Sequence, residues 1–255
     1  AQDHFNEKGS PASVHTSALQ QTLRDSLPFE DDRDFAESRR GFIAEPASKQ
    51  ILNSQGAVVW DMGQYEFLLS GEEFDSMHPS LQRQATLNMN FGLYEVVPDF
   101  IYQVRGFDVS NLTLVRGDTG WILFDVLLAS ETAEAALALA NQHLGELPVK
   151  AVVYSHSHID HFGGVRGVIN AEDVRNGDVQ VYAPSGFMDE AIAENFVNTV
   201  IPNAPGLTDK ESVLIETSLG YTKKDFTRIP GSLRRDPDIA MFQYIAPNEI
   251  TWGKS

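Results

Sequence analysis

Between residues 101 and 182 the apolar positions fall into short runs divided by turn residues. Ile101-Tyr102-Gln103-Val104 alternates with a period of two and predicts a strand. Leu112-Thr113-Leu114-Val115 and Trp121-Ile122-Leu123-Phe124 predict two more. Asp118-Thr119-Gly120 joins them, and a glycine-containing turn between apolar runs predicts a hairpin. The period then lengthens. Ser130 is a candidate N-cap for a helix through Leu144, whose Ala/Leu spacing buries one face, and Gly145 is its stop. Val149 to Tyr154 and Val179-Gln180-Val181-Tyr182 return to short β-branched runs and predict buried strands. Ser185 is placed to cap a helix through about Asn195. Strands alternating with helices predict an α/β layer.

The flanks are less regular. Residues 1–12 are polar and read as loose, and 14–26 predict a short helix that Leu27-Pro28 ends. The acidic run Glu30 to Asp34 reads as a solvated loop. Val58-Val59-Trp60 predicts a short strand, and Pro79-Ser80-Leu81 opens a helix to about Gly92 with proline in its first turn. After Asn198 the pattern weakens. Pro202, Pro205, Pro230 and Pro237 punctuate it, and Met241 to Ile245 is the last strand candidate.

Composition narrows the chemistry. The chain has 255 residues, 42% of them hydrophobic, which is enough for a substantial core. Its formal net charge of −17 repels nucleic acid and anionic membranes, which excludes both as partners. No segment approaches the length of a membrane span. An anionic small molecule stays open, because a bound divalent cation inverts the local field. There is no cysteine, so disulfides, thiolate metal sites and cysteine nucleophiles are all excluded. Any metal must be held by histidine and carboxylate, a combination that favours a catalytic site over a structural one.

Residues 156–161 read His-Ser-His-Ile-Asp-His, followed by Phe162-Gly163-Gly164. Three of the chain's seven histidines sit in these six positions. They follow the predicted strand 149–154, and catalytic groups gather at the carboxyl ends of such strands. His156 and His158 are two apart and fall on the same side of an extended backbone. Asp160 and His161 lie further on and reach a neighbouring ion. The spacing therefore predicts two ligand pairs for two adjacent metals, an arrangement that can clamp an attacked group and its leaving oxygen. Gly163-Gly164 permits close backbone packing. His4, His15, His78 and His143 are isolated and read as surface or structural residues.

The hexad has the His-x-His-x-Asp-His pattern of the metallo-β-lactamase superfamily. Three stretches narrow the likeness: Tyr102 to Asp108, Gly117 to Trp121 and Ser155 to Gly167. Leu27-Pro28-Phe29, Asn53 to Asp61, Pro79-Ser80-Leu81 and Arg83-Gln84-Ala85 extend it. Over about residues 10–198 the chain resembles the zinc-dependent linear primary alkyl sulfatases (type III) of that superfamily. The resemblance implies an α/β fold, the metallo-β-lactamase-like αββα sandwich, incomplete here. Residues 1–100 would be an amino-terminal extension packed on the catalytic domain, and 101–255 the first part of that domain.

The resemblance also implies two Zn²⁺ ions and hydrolysis of alkyl sulfate esters such as dodecyl sulfate to alcohol and sulfate, by a zinc-activated hydroxide. It implies a periplasmic or secreted dimer, with a cytoplasmic location as the alternative. Carried over by position, the first ion takes His156, His158 and a later glutamate, and the second takes Asp160, His161 and a distant histidine. Asp160 would also orient the hydroxide. Phe242-Gln243-Tyr244 with Pro247-Asn248-Glu249 resembles the segment bearing that glutamate. Glu249 is therefore either this ligand or an ordinary surface acid. No histidine follows His161, the glutamate that bridges the ions in the family has no counterpart, and the text after 198 departs from the family. The chain thus resembles an amino-terminal portion or a shortened relative, needing a second copy or a complementing chain. Two alternatives stay open: another hydrolase of the superfamily, acting on a lactone, thioester or β-lactam, or an inactive metal-binding homologue.

Overall fold

A computed structural model of the chain describes residues 12–192. Glu249, the strand expected at 241–245 and the end of the helix expected at 185–195 lie outside the described residues. Nine strands are present among them: β1 (Phe42–Ala44), β2 (Gln50–Leu52), β3 (Val58–Asp61), β4 (Gly92–Val97), β5 (Ile101–Arg105), β6 (Leu112–Arg116), β7 (Trp121–Phe124), β8 (Val149–Val153) and β9 (Gln180–Tyr182). Seven form one sheet in the order β1-β4-β5-β6-β7-β8-β9, while β2 and β3 pair separately. The order follows the chain from β4 onward. Neighbours are antiparallel up to β7, then parallel from β7 to β8 and from β8 to β9. The sheet runs across the division at residue 100, because β4 pairs with β5. β1 and β4 thus belong to the same sheet as β5 to β9.

The predicted hairpin forms, with Leu114 opposite Leu123 and Arg116 opposite Trp121. Alternate residues of β5 and β6 are buried, so one face carries the core. That face meets helix α4 (Ser130–Leu144), the crossover between parallel β7 and β8. The helix buries Thr132, Ala133, Ala136, Leu139 and Ala140, a stripe at helical spacing whose alanines allow close approach. Trp121 Nε1 donates to Asn141 Oδ1 at 2.9 Å and ties β7 to the helix. Arg116 lies over the rings of Tyr102 and Trp121 and donates to the Leu144 carbonyl at 3.0 Å.

Three expectations need correction. The helix at 79 ends at Leu87, not near 92, because Gly92 onward pairs as a strand; this is helix α3 (Pro79–Leu87). Proline does stand in its first turn, and the isolated His78 caps it, its Nδ1 accepting from Ser80 N–H at 3.1 Å. The acidic run is only partly a loop. Asp32 precedes helix α2 (Arg33–Ser38), which Arg83 holds by lying over the Phe35 ring. Helix α1 (Val14–Ser26) forms as expected. Ser130 does not cap α4, because the helix begins at Ser130 and its N-cap residue Ala129 makes no side-chain bond.

The cap comes from elsewhere in the chain. Asp108, 6% exposed, sends Oδ2 to Leu128 N–H at 3.1 Å, Ala129 N–H at 3.4 Å and the Thr132 hydroxyl at 2.7 Å. A carboxylate at a helix N-terminus satisfies orphan donors and meets the positive end of the helix dipole. Asp108→Ala is expected to destabilise the chain by about 3 kcal/mol, since buried donors lose an ionised acceptor. Asp108→Asn, which keeps one oxygen, should cost less. Urea unfolding at constant m-value measures both, and a loss below about 1 kcal/mol for the alanine variant would rule out the capping role.

Candidate metal centre

The sheet delivers two loops to the same place. β7 and β8 are parallel neighbours, so their carboxyl ends lie side by side. The loop after β7 starts at Asp125 and the loop after β8 carries the histidines. Two short 3-10 turns shape the second loop, Ile159–His161 and Gly163–Gly167. Backbone bonds knit the loops together: Val126 N–H to the His161 carbonyl at 2.9 Å and Gly164 N–H to the Leu127 carbonyl at 2.8 Å. A side chain at Gly163, Gly164 or Gly167 would meet the carbonyl of Leu128, Val126 or Ser130 respectively. The glycines are there because backbone lies against backbone.

All four hexad side chains named from the sequence come together here. His156 and His158 lie past the end of β8 in bent backbone rather than on the extended strand assumed from their spacing. Their rings nonetheless meet, with His156 Nε2 3.1 Å from His158 Nδ1. His161 Nε2 lies 3.3 Å from Asp160 Oδ2. The rings of His156 and His161 are 4.0 Å apart between centroids, which brings the two pairs next to each other.

These separations bear on metal binding. Zinc–nitrogen bonds of 2.0–2.1 Å in a tetrahedron put neighbouring ligand atoms ~3.3 Å apart. The His156/His158 and Asp160/His161 pairs are each spaced close to one such edge. The donor set fits zinc as two half-complete sites. Among the described residues, no group of three or more histidine, aspartate or glutamate side chains is arranged to hold one ion.

Asp125 organises the site, and sequence reasoning passed over it. Its Oδ1 accepts from Ser155 N–H at 2.8 Å. Its Oδ2 accepts from the Ser155 hydroxyl at 2.8 Å and lies 2.8 Å from His161 Nδ1. Facing a carboxylate, His161 carries its proton on Nδ1, which leaves the Nε2 lone pair turned toward Asp160. The Ser155 hydroxyl points its hydrogen at Asp125, so its Oγ accepts from His156 Nδ1 at 2.8 Å. The His156 Nε2 lone pair is thereby turned toward His158. One carboxylate sets the tautomer of two imidazoles, one directly and one through a hydroxyl.

Backbone geometry marks the same place. Asp125 at φ 55° and Leu127 at φ 63° are two of the three non-glycine residues in the left-handed region among the described residues. That conformation is unfavourable for both residue types, and most of all for a buried leucine. A single aspartate just past a strand end was the available signal, and it does not stand out among 36 acidic residues. The other missed residue is Ser110, whose hydroxyl donates to the Asp160 carbonyl.

A family model for the metallo-beta-lactamase superfamily matches residues 105–237. The chain is 52% identical over 187 residues to an (R)-specific secondary-alkylsulfatase of Pseudomonas sp, covering 73% of this chain and 28% of that protein. It is 46% identical over 190 residues to a linear primary-alkylsulfatase of Pseudomonas sp, covering 74% and 28%. An alkyl/aryl-sulfatase of Saccharomyces cerevisiae is 41% identical over 196 residues, covering 74% and 30%. Among solved structures, a stereoselective inverting sec-alkylsulfatase of Pseudomonas sp. superposes with a TM-score of 0.70 at 52% identity, over 74% of this chain and 29% of that one. The chain thus spans less than a third of the length of these relatives. With its mixed sheet, its crossover helix and its match to the family model, the chain belongs to the metallo-beta-lactamase superfamily, and its similarity within that superfamily is to alkylsulfatases.

Proposed function

We propose that the chain carries the metal-binding part of an alkyl sulfatase and hydrolyses alkyl sulfate esters to alcohol and sulfate. The observation that supports this best is the two ligand pairs, spaced as zinc-ligand edges and aligned through Asp125. The alkylsulfatase relatives favour a sulfate ester over a lactone, thioester or β-lactam. His156 and His158 would hold one Zn²⁺, with Glu249 as the proposed third ligand. Asp160 and His161 would hold the other. Zinc, when bound, supplies Lewis acidity to the ester and acidifies a water.

The chain's own residues do the rest. Asp125 and Ser155 keep the Nε2 atoms of His156 and His161 unprotonated and aimed inward. Ser110 fixes the backbone of Asp160, so that its carboxylate holds station beside His161. Asp160 is the residue proposed to orient the attacking water. A dimeric assembly or a complementing chain, and an exported location, belong to the same proposal. No helix among the described residues is long and apolar enough to cross a membrane.

The absence of a three-ligand group among the described residues supports a second reading, a metal-binding homologue without turnover. Zinc content per chain after dialysis, with sulfate release from dodecyl sulfate, separates the two. Two zincs with release are expected. One zinc without release would favour the second reading, and no zinc in folded protein would sink both.

Asp125→Asn is expected to weaken zinc affinity about 10- to 100-fold, the usual effect of removing an outer-shell partner. Competition with a chromophoric chelator measures it. Unchanged affinity would show that the Asp125 contacts do not serve metal binding.

A further inference from the structure

The candidate ligands are not all held alike. His161 is fixed from three directions. Its Nδ1 faces Asp125 Oδ2 at 2.8 Å, its carbonyl accepts from Val126 N–H at 2.9 Å, and its own N–H donates to the His158 carbonyl at 3.0 Å. His156 is held through Ser155. Asp160 has less. Among the described residues its carboxylate meets one polar side chain, His161, and its backbone carbonyl accepts one hydrogen bond, from the Ser110 hydroxyl. It sits in the three-residue 3-10 turn Ile159–His161, too short to fix it alone.

Ser110 is itself firmly placed. It is buried, and Asp108 two residues earlier accepts from Val109 N–H at 2.7 Å as well as from the Leu128 and Ala129 amides and the Thr132 hydroxyl. Residues 108–110 therefore bridge the two loops of the site. Asp108 grips the loop after β7, and Ser110 reaches the loop after β8. The Asp125–His161 contact joins the same two loops a second time. Asp160 Oδ2 and His161 Nε2, 3.3 Å apart, thus owe their spacing to two separate tethers. A ligand set must be held to within ~0.5 Å, and a carboxylate freed at its backbone loses that register. The His156/His158 pair has no such dependence on Ser110, since Ser155 aligns it.

We infer that Ser110 is a positioning residue for the Asp160/His161 ion alone: it governs how tightly that zinc is held and leaves the His156/His158 ion untouched. The ion's identity rests on the proposed function, whereas the tether does not. Two measurements on the full 255-residue chain follow. The first needs no metal. In zinc-free Ser110→Ala, hydrogen exchange at the amides of residues 159–163 should quicken about fivefold, as for the loss of one hydrogen bond, with β8 unchanged. The second is zinc affinity by chelator competition in two backgrounds. In His158→Ala, which disables the first pair, adding Ser110→Ala should weaken the remaining zinc about 10- to 100-fold. In Asp160→Ala, which disables the second pair, it should change nothing. Ser110→Thr, which keeps the hydroxyl, should restore both exchange and affinity.

Equal weakening in both backgrounds would show that Ser110 supports the fold rather than one ion, and would overturn the inference. Unchanged exchange around Asp160 would overturn it as well, whether or not zinc binds. Ser110→Thr behaving like Ser110→Ala at an unchanged melting temperature would show that the hydroxyl is not what matters, with the same consequence. Faster exchange in a folded chain that binds no zinc would instead sink the sulfatase reading and leave the tether standing.

Discussion

The meeting of two backbone segments at the carboxyl ends of β7 and β8 is the constraint on which the site depends. Residues 125–130 and 161–167 approach closely enough that their amides and carbonyls bond directly, from Val126 N–H to the His161 carbonyl and from Gly164 N–H to the Leu127 carbonyl. Three glycines on one side remove the Cβ atoms that would hold the segments apart. The other segment takes the conformational cost, with Asp125 and Leu127 both at positive φ. Such strain persists only where the surroundings over-determine it. The surroundings here are the parallel pairing of the two strands beneath, the fully buried Val126 and Leu127, and the helix that begins three residues later. The hexad rings are carried on this junction and inherit its rigidity.

That dependence explains which features could be read from the chain. Helix α4 repeats a helical period and β6 alternates, with apolar faces that coincide with the buried ones, while β7 and β8 are legible as short apolar runs bounded by turns. Strands β1 and β2, at three residues each, are too short to show any period; β1 forms by pairing with β4, remote in sequence, and β2 by pairing with β3 across a short turn. β4 is buried at its first three residues and exposed at its last two, so alternation never appears. Its strand character comes from β5, against which Gly92 to Glu95 pair in unbroken register before a shift ahead of Val97.

The same distinction runs through the site. His156, His158, Asp160 and His161 are legible because a dense cluster of rare residue types is improbable by chance. Asp125 and Asp108 are single acids in a chain rich in them, and only the fold reveals that each satisfies several donors. Their importance lies in where the sheet brings them, thirty residues from Ser155 in one case and twenty to twenty-four from the helix amides and hydroxyl in the other. A hydrogen-bonding role of that kind is a property of topology and has no local spelling.

The amino-terminal elements enter the same mechanical chain. Trp60 Nε1 donates to the Gly106 carbonyl at 2.8 Å, and Arg105 reaches the Ser38 carbonyl, so β3 and α2 both hold the loop after β5. That loop then does two things within three residues: Asp108 caps α4, and Ser110 anchors Asp160. A disturbance at the amino-terminal side therefore has a short covalent and hydrogen-bonded route to the candidate ligands. An acidic surface of net charge −17 gives no general attraction for an anionic ester. Under the proposed function, recognition must be local. Positive charge would come from the metal, held at the junction of the two loops where the hexad side chains converge.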